Sequence, residues 1–335
     1  MAGDSYTPLH HAALHGDTRT VELLLLTDGA MIHATDQDKN TPLHLAVWKS
    51  HTDVTELLLD NGASVHARNK FLNTPLHLAA WTGRMGVVDL LLRKCAIIEA
   101  TNRRRKTPLH LAASRRHTGV VELLLGAGAL IEATCSNRNT PLHLATRNGH
   151  TVTVKLLLMK GASAHARNQE NSTPLHLAAQ NGHAGVAELL LTKGALVEPL
   201  DRYGATPLHR AAAKGQTNVV ELLLMKGALV ESLGEYGNTP LHGAAWGGHT
   251  NVVELLLTRG ASIESQDTFN CTPLHSAARG GHTDVVKLLL TKGAFAEAMD
   301  KCNNTPSDLA ARFNHIDTMQ ALKSKAAKRA EVMDI

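Results

Sequence analysis

Thr74-Pro75-Leu76-His77-Leu78-Ala79-Ala80 decides the fold of this chain, because its first four residues recur at a fixed step. Thr-Pro-Leu-His begins at Thr7, Thr41, Thr74, Thr107, Thr140, Thr173, Thr206, Thr239 and Thr272. The first step is 34 residues and every later one is 33. A degenerate tenth copy, Thr305-Pro306-Ser307-Asp308, keeps the step. One period sustained over the whole length marks a stacked-repeat architecture, in which no single unit buries its own apolar face.

The tetrapeptide has a physical role. Thr caps a helix by accepting from an unpaired N–H, and Pro at the first helical position loses no hydrogen bond and pre-sets φ. Leu then faces inward, and the His imidazole ties to the Thr hydroxyl or a neighbouring backbone group. From Thr173 the chain continues with Leu177-Ala178-Ala179, a break at Gly182-His183, Val186 to Leu191, and Gly194-Ala195. That pattern predicts a short helix, a tight turn, a second helix with a Leu stripe and a Gly stop. The polar residues between units suit an extended, hairpin-like loop. Small residues on the first helix let the next repeat approach, and Leu and Val of the second fill the gap.

These residues resemble the ankyrin repeat family, and the likeness covers Ser5 to Leu322. It lies in Thr-Pro-Leu-His-Leu-Ala-Ala (Thr74 to Ala80, Thr173 to Ala179), in Gly-His-Thr with Val-Val and Leu-Leu-Leu (Gly248 to Leu257, Gly281 to Leu290), and in the closing Gly260-Ala261. The resemblance implies an all-α repeat solenoid of stacked helix-turn-helix units with β-hairpin-like fingers. It implies one curved, elongated array over residues 1–335, with ten repeats, terminal caps and a concave face of first helices. Family members mostly bind other proteins, so the resemblance implies a protein partner. The fold alone does not fix that function.

Composition agrees with a large core: 43% of residues are apolar, whereas only 3% are aromatic, so each aromatic is informative. No apolar run approaches a membrane span, and Met1-Ala2-Gly3-Asp4 lacks a signal peptide's regions. Cys95, Cys135, Cys271 and Cys302 sit singly in different repeats, which points to a reducing, cytoplasmic compartment. A net charge of +4 does not by itself imply nucleic acid.

The first repeat carries one extra residue before Thr27-Asp28-Gly29, expected to lengthen its second helix or the turn after it. His11 and His15 have a ligand-like spacing without a third ligand nearby, so neither a metal nor a cofactor is expected. Ser50 and Arg116 replace Gly at the inter-helix turn, and Cys95 replaces it at the second-helix stop. If these stay left-handed, each costs roughly 1–2 kcal/mol, which predicts a softer N-terminal half. From Thr101 to Val120 there are six basic residues (Arg103, Arg104, Arg105, Lys106, Arg115, Arg116) and no acidic one. Arg138 and Arg147 continue this patch, which favours an acidic partner. In the tenth copy Asp308 and Ser307 replace His and Leu, as a C-terminal cap requires. Residues 323–335 form a basic tail, read as a fraying helix and a weak nuclear address.

Against a constant frame, variable columns are free for recognition. All three Trp fall seven residues after the Thr, at Trp48, Trp81 and Trp246, a column that elsewhere accepts Arg147, Gln180 and Arg279. A core column would not accept Arg and Gln, so this one is expected to be exposed; the resemblance places it in the concave groove, with Arg115 and Asn181 beside it. A second column, three residues before the Thr, holds Phe71, Tyr203, Tyr236 and Phe269 near the finger tips, beside Arg103, Arg104 and Arg105. Exposed Trp, Tyr and Arg dominate interface energetics.

A third column (His33, His66, Glu99, Glu132, His165, Glu198, Glu231, Glu264, Glu297) is expected to accept hydrogen bonds within the hairpin turns. Of the 21 His, nine lie in the tetrapeptide and six more in the inter-helix turns (His51, His117, His150, His183, His249, His282), so their periodic placement assigns these to the frame. The chain has no phosphate-binding Gly loop, no Cys/His metal cluster, and no nucleophile with a base outside that frame, so no catalytic residues are expected. The expectation is therefore a monomeric, non-enzymatic scaffold for a protein partner. The alternatives are a nucleic-acid or polyanion binder using the basic patch, and an assembly-chaperone or adaptor. The last rests on one repeat, Tyr203 to Gly215, which looks like part of the ankyrin-repeat chaperones of proteasome assembly.

Overall fold

The computed structural model describes residues 6–27 and 30–333, with side chains as far as residue 324. The chain falls into two compact units, Met1–Ser163 and Ala164–Ile335. The first holds the helices of repeats one to five and the second those of repeats six to ten. The described residues form 20 helices and no strand.

Repeat three shows the build. Thr74 is extended (φ −87°, ψ 167°), Pro75 opens the first helix, Pro75–Thr82, and Gly83 ends it in the left-handed region at φ 77°. The second helix, Met85–Arg93, buries Val87, Val88, Leu90 and Leu91, while Leu76, Ala79 and Ala80 of the first helix are fully buried. In repeat one the second helix, Thr18–Leu25, has eight residues against nine in repeats two to nine. The extra residue therefore lengthens the turn and not the helix; Asp28 and Gly29 of that turn lie outside the described residues.

The tetrapeptide His carries the stack. Thr41 N–H donates to His44 Nδ1 at 3.2 Å, and Thr41 Oγ1 lies 2.9 Å from the same nitrogen. Because Nδ1 accepts, the proton sits on Nε2, which donates to the Asn73 carbonyl of the next repeat at 3.1 Å. In the same unit His77 reaches Lys106 O at 2.9 Å and His110 reaches Asn139 O at 3.0 Å. In the second unit His176, His209 and His242 bond the carbonyls of Ala205, Asn238 and Cys271 at 2.9–3.0 Å. Asp308 keeps only the cap side, accepting from Thr305 N–H at 2.8 Å and Thr305 Oγ1 at 2.7 Å.

A second set of imidazoles points the other way. His51 Nε2 donates to Leu14 O at 3.0 Å, His117 to Trp81 O at 2.9 Å and His150 to Ser114 O at 3.1 Å. In the second unit His249, His282 and His315 reach Ala213 O, Trp246 O and Arg279 O at 2.8–3.3 Å. These carbonyls end the preceding first helix, where they have no intrahelical partner.

The fingers are turns without strands. The Asn69 side-chain oxygen accepts from the N–H groups of Phe71 and Asn73, both at 3.0 Å, an Asx turn. Asp36, Asn102, Asn168, Asp201, Asp267 and Asp300 do the same. Neighbouring fingers share a backbone bond, such as Arg103 N–H to Phe71 O at 2.9 Å and Thr268 N–H to Tyr236 O at 2.8 Å. The third column departs from expectation. Glu99, Glu132, Glu231 and Glu264 accept from N–H groups 31 residues further on (Leu130, Ser163, Ser262, Phe295), so they join repeats instead of closing their own turns.

Left-handed residues separate the two units. In the first, Lys39, Ser50, Leu72, Cys95, Arg105, Arg116 and Arg138 have positive φ; in the second the non-Gly residues there are all Asn (Asn171, Asn270, Asn303, Asn314). Asn tolerates this region and bulky side chains do not. The anticipated strain at Ser50, Cys95 and Arg116 is present, joined by four finger-tip positions. The stretch read as a basic tail continues the last helix, Ile316–Met333; its side chains beyond residue 324, which carry the nuclear-address reading, lie outside the described residues.

Four measurements test this frame. Burial lowers the pKa of His44, His77, His110 and His176 from 6.5 to about 4, and lowers those of His209, His242 and His275 as well. Between those values the unfolded chain binds the extra protons, so stability present at neutral pH is lost as pH falls from about 6.5 to about 4. Each of the first four contributes on the order of 3 kcal/mol, and urea midpoints at pH 7.5, 5.5 and 4.5 should fall steeply; equal midpoints contradict the clamp. Hydrogen exchange should be faster in repeats two to four than in repeats seven to nine, and Leu72→Asn should stabilise the first unit by about 1 kcal/mol. Thr146 Oγ1 is buried without a hydrogen-bond partner, so the isosteric Thr146→Val should raise the melting temperature, worth about 1 kcal/mol.

Candidate partner-binding surface

In the first unit, groove and finger residues converge. Trp48 and Trp81 project from the C-terminal ends of the first helices of repeats two and three, while Phe71, Arg103 and Arg104 come from finger tips. They line one pocket of about 560 Å³, together with Leu78, Leu111, Lys106, Asn73 and Asn102. Trp48 is 45% exposed and Phe71 51%, whereas Trp81 is half-buried. The cause is Arg115, whose guanidinium carbon lies 3.4 Å from the Trp81 ring centroid, a cation–π stack. The expectation of an exposed column therefore holds for Trp48 and is corrected at Trp81, which is half-buried.

A second hollow, of about 310 Å³, shares Arg104 and Lys106 with the first and adds Cys135, Ser136, Asn137, Asn139, Leu144 and Arg147. Half-burial pushes the Lys106 ammonium below its usual pKa, and the positive charges of Arg104, Arg147 and Arg115 add to that push. Arg105 lines neither hollow; it is exposed and takes the left-handed position of the finger at φ 54°.

The second unit holds the remaining predicted residues. Trp246 is 50% exposed, with Arg279 5.3 Å from its ring centroid, and Arg279 also faces Phe313 at 5.5 Å. Tyr236 and Phe269 pack tip to tip with centroids 6.1 Å apart. Tyr203 is flanked by Arg202 at 4.5 Å and Arg210 at 5.3 Å. Arg210, part of the stretch likened to an assembly chaperone, pairs with the fully buried Asp201 carboxylate, its Nε donating at 2.7 Å. Gln180 is half-buried, and the exposed Asn181 donates its amide to Leu177 O at 2.8 Å.

Sequence reasoning missed Leu78 and Leu111, the pocket floor. The signal was present four residues after the Thr, where Leu45, Leu78, Leu111, Leu144 and Leu177 give way to Arg210, Gly243 and Ser276. The cue was easily taken as ordinary core, since Leu78 is 7% and Leu111 5% exposed.

His11 and His15 stack at 4.2 Å, and His15 Nδ1 bonds His11 O at 2.9 Å. Among the described residues no group of His, Cys, Asp and Glu is placed to hold a metal, and no helix is long and apolar enough to cross a membrane. The four cysteines are free thiols; burial pushes that of Cys271 up to about 11.

No curated protein matches the chain. The sequence profile of ankyrin repeats (three copies) matches residues 2–69, 66–135, 119–201, 142–233, 196–267 and 241–333. Such repeats generally serve as protein–protein interaction modules. Covered from near one end to the other by overlapping matches whose period its helices follow, the chain belongs to the ankyrin repeat family.

Proposed function

We propose that this chain is a non-enzymatic interaction module that holds an acidic segment of a partner protein against the first helices and finger tips of repeats two to five. One observation carries this. Exposed aromatic rings and a cluster of cations face the same pair of hollows, and the ion pairs found in the first unit among the described residues (Lys70–Asp38, Arg93–Asp89, Lys94–Asp60) use none of Arg103, Arg104, Lys106 or Arg115. Like charges held together without acidic neighbours repel, and an anionic ligand relieves that repulsion.

A single-stranded nucleic acid offers the same charge, but it binds by stacking bases on open aromatic faces. Arg115 already covers one face of Trp81. A recess floored by leucines suits a side chain better than a charged backbone.

Wild type and the triple variant Trp48→Ala, Trp81→Ala, Trp246→Ala should differ in a pull-down, with the partner lost by the variant. The helical circular-dichroism signal should persist. Melting should respond most to Trp81→Ala, at a cost of about 1 kcal/mol for the lost stack with Arg115, and less to Trp246→Ala, whose Arg279 lies further from the ring. Capture of the same partner by both proteins would defeat the proposal.

A further inference from the structure

This inference rests on the reading above and gives it a ligand chemistry. We propose that the pocket between Trp48, Phe71 and Trp81 seats one bulky apolar side chain of the partner segment, and that the segment's carboxylates follow over Arg104, Lys106 and Arg147.

The two adjoining hollows differ in lining. The larger, about 560 Å³, has three aromatic rings as walls and Leu78 and Leu111 as its floor. Its size falls within the range of about 300–1,000 Å³ that suits compact ligands. Trp48 and Phe71 expose about half of their surfaces there, and a large apolar side chain would cover them. The smaller hollow also has apolar lining, Leu144 and Cys135, but no aromatic ring; Ser136, Asn137 and Asn139 complete it with Arg104, Lys106 and Arg147. Arg104 and Lys106 border both, so an extended segment crossing from one to the other meets rings first and cations next.

Charge fixes the second half of the ligand. Lys106 is half-buried among like charges, and its ammonium is easier to deprotonate than a solvated lysine. An approaching carboxylate reverses that balance, and Arg104 adds a planar donor suited to two-pronged contact. The site is local to the first unit. The second unit keeps Leu177 in this column but then has Arg210, Gly243 and Ser276, so Trp246, in the repeat of Gly243, sits without the leucine floor. An apolar anchor followed by acidic residues is therefore the ligand this surface distinguishes from a uniformly acidic one.

The test is selection of random twelve-residue displayed peptides on the full chain, followed by fluorescence anisotropy with the enriched peptides. The expected sequences carry one Trp, Phe, Leu or Met with two or more Asp or Glu on one consistent side of it. Replacing the anchor by Ala, or the acids by their amides, should weaken binding at least tenfold. Trp48→Ala and the double variant Arg103→Glu, Arg104→Glu should each do the same, the second with an unchanged melting curve. The charge-matched control Lys155→Glu, Lys287→Glu, on exposed second-helix positions, should bind normally. Enriched peptides without the apolar-then-acidic order, no enrichment, indifference to these variants, or tighter binding of a single-stranded deoxythymidine 20-mer would each overturn the proposal. If any of these results occurs while the triple Trp variant still releases its captured partner, the anchor chemistry falls and the interaction module stands. If the partner is retained as well, both fall.

Discussion

The stack depends on one neutral imidazole used twice. Its Nδ1 closes the helix cap within a repeat and its Nε2–H reaches a carbonyl of the next. Protonation would place a second N–H where the Thr backbone N–H already points, so cap and inter-repeat bond depend on the same charge state. Desolvation enforces that state by holding the ring neutral well below its ordinary titration range. The cost of burying a polar ring is offset because both nitrogens are satisfied. The turn imidazoles then brace each repeat against the end of the preceding first helix, so adjacent layers are bonded at both ends of that helix.

With the frame fixed in this way, the residues between its fixed points can vary. Each finger needs one left-handed residue and in most repeats an Asx side chain, with Cys135 and Gly234 in its place in the other two; what lies beside these can be Phe, Arg, Tyr or Asn at little structural cost. The first unit spends that freedom on cations and rings, and it places Leu72, Arg105 and Arg138 where Asn or Gly is easier. Strain and the candidate binding surface thus occur in the same repeats, as expected where recognition competes with stability. The second unit keeps Asn or Gly at these positions and packs its finger aromatics against each other or against Arg.

Much of the candidate site was legible as columns: Trp48, Trp81, Phe71, Arg103 and Arg104 stand out because they vary against a constant background. Their convergence on one pocket was not legible, because it depends on how far a finger overhangs the helix ends beside it. The half-burial of Trp81 escaped for the same reason: Arg115 lies 34 residues away in sequence and stacks only when two repeats are in register. Arg105 differs from its neighbours. It carries the same charge but takes the turn's left-handed position and lines neither hollow.

By itself the sequence determined the period, the helix pairs, the caps and the framework role of the histidines, since each follows from contacts within a few residues or from strict repetition. Only tertiary structure decided which partner each repeated polar group finds. The column of glutamates illustrates this: local chemistry establishes that they accept hydrogen bonds, but their donors sit 31 residues away. Such a partner is set by the spacing between layers, which arises from the packing of Ala against Leu and Val and is not written at any one position.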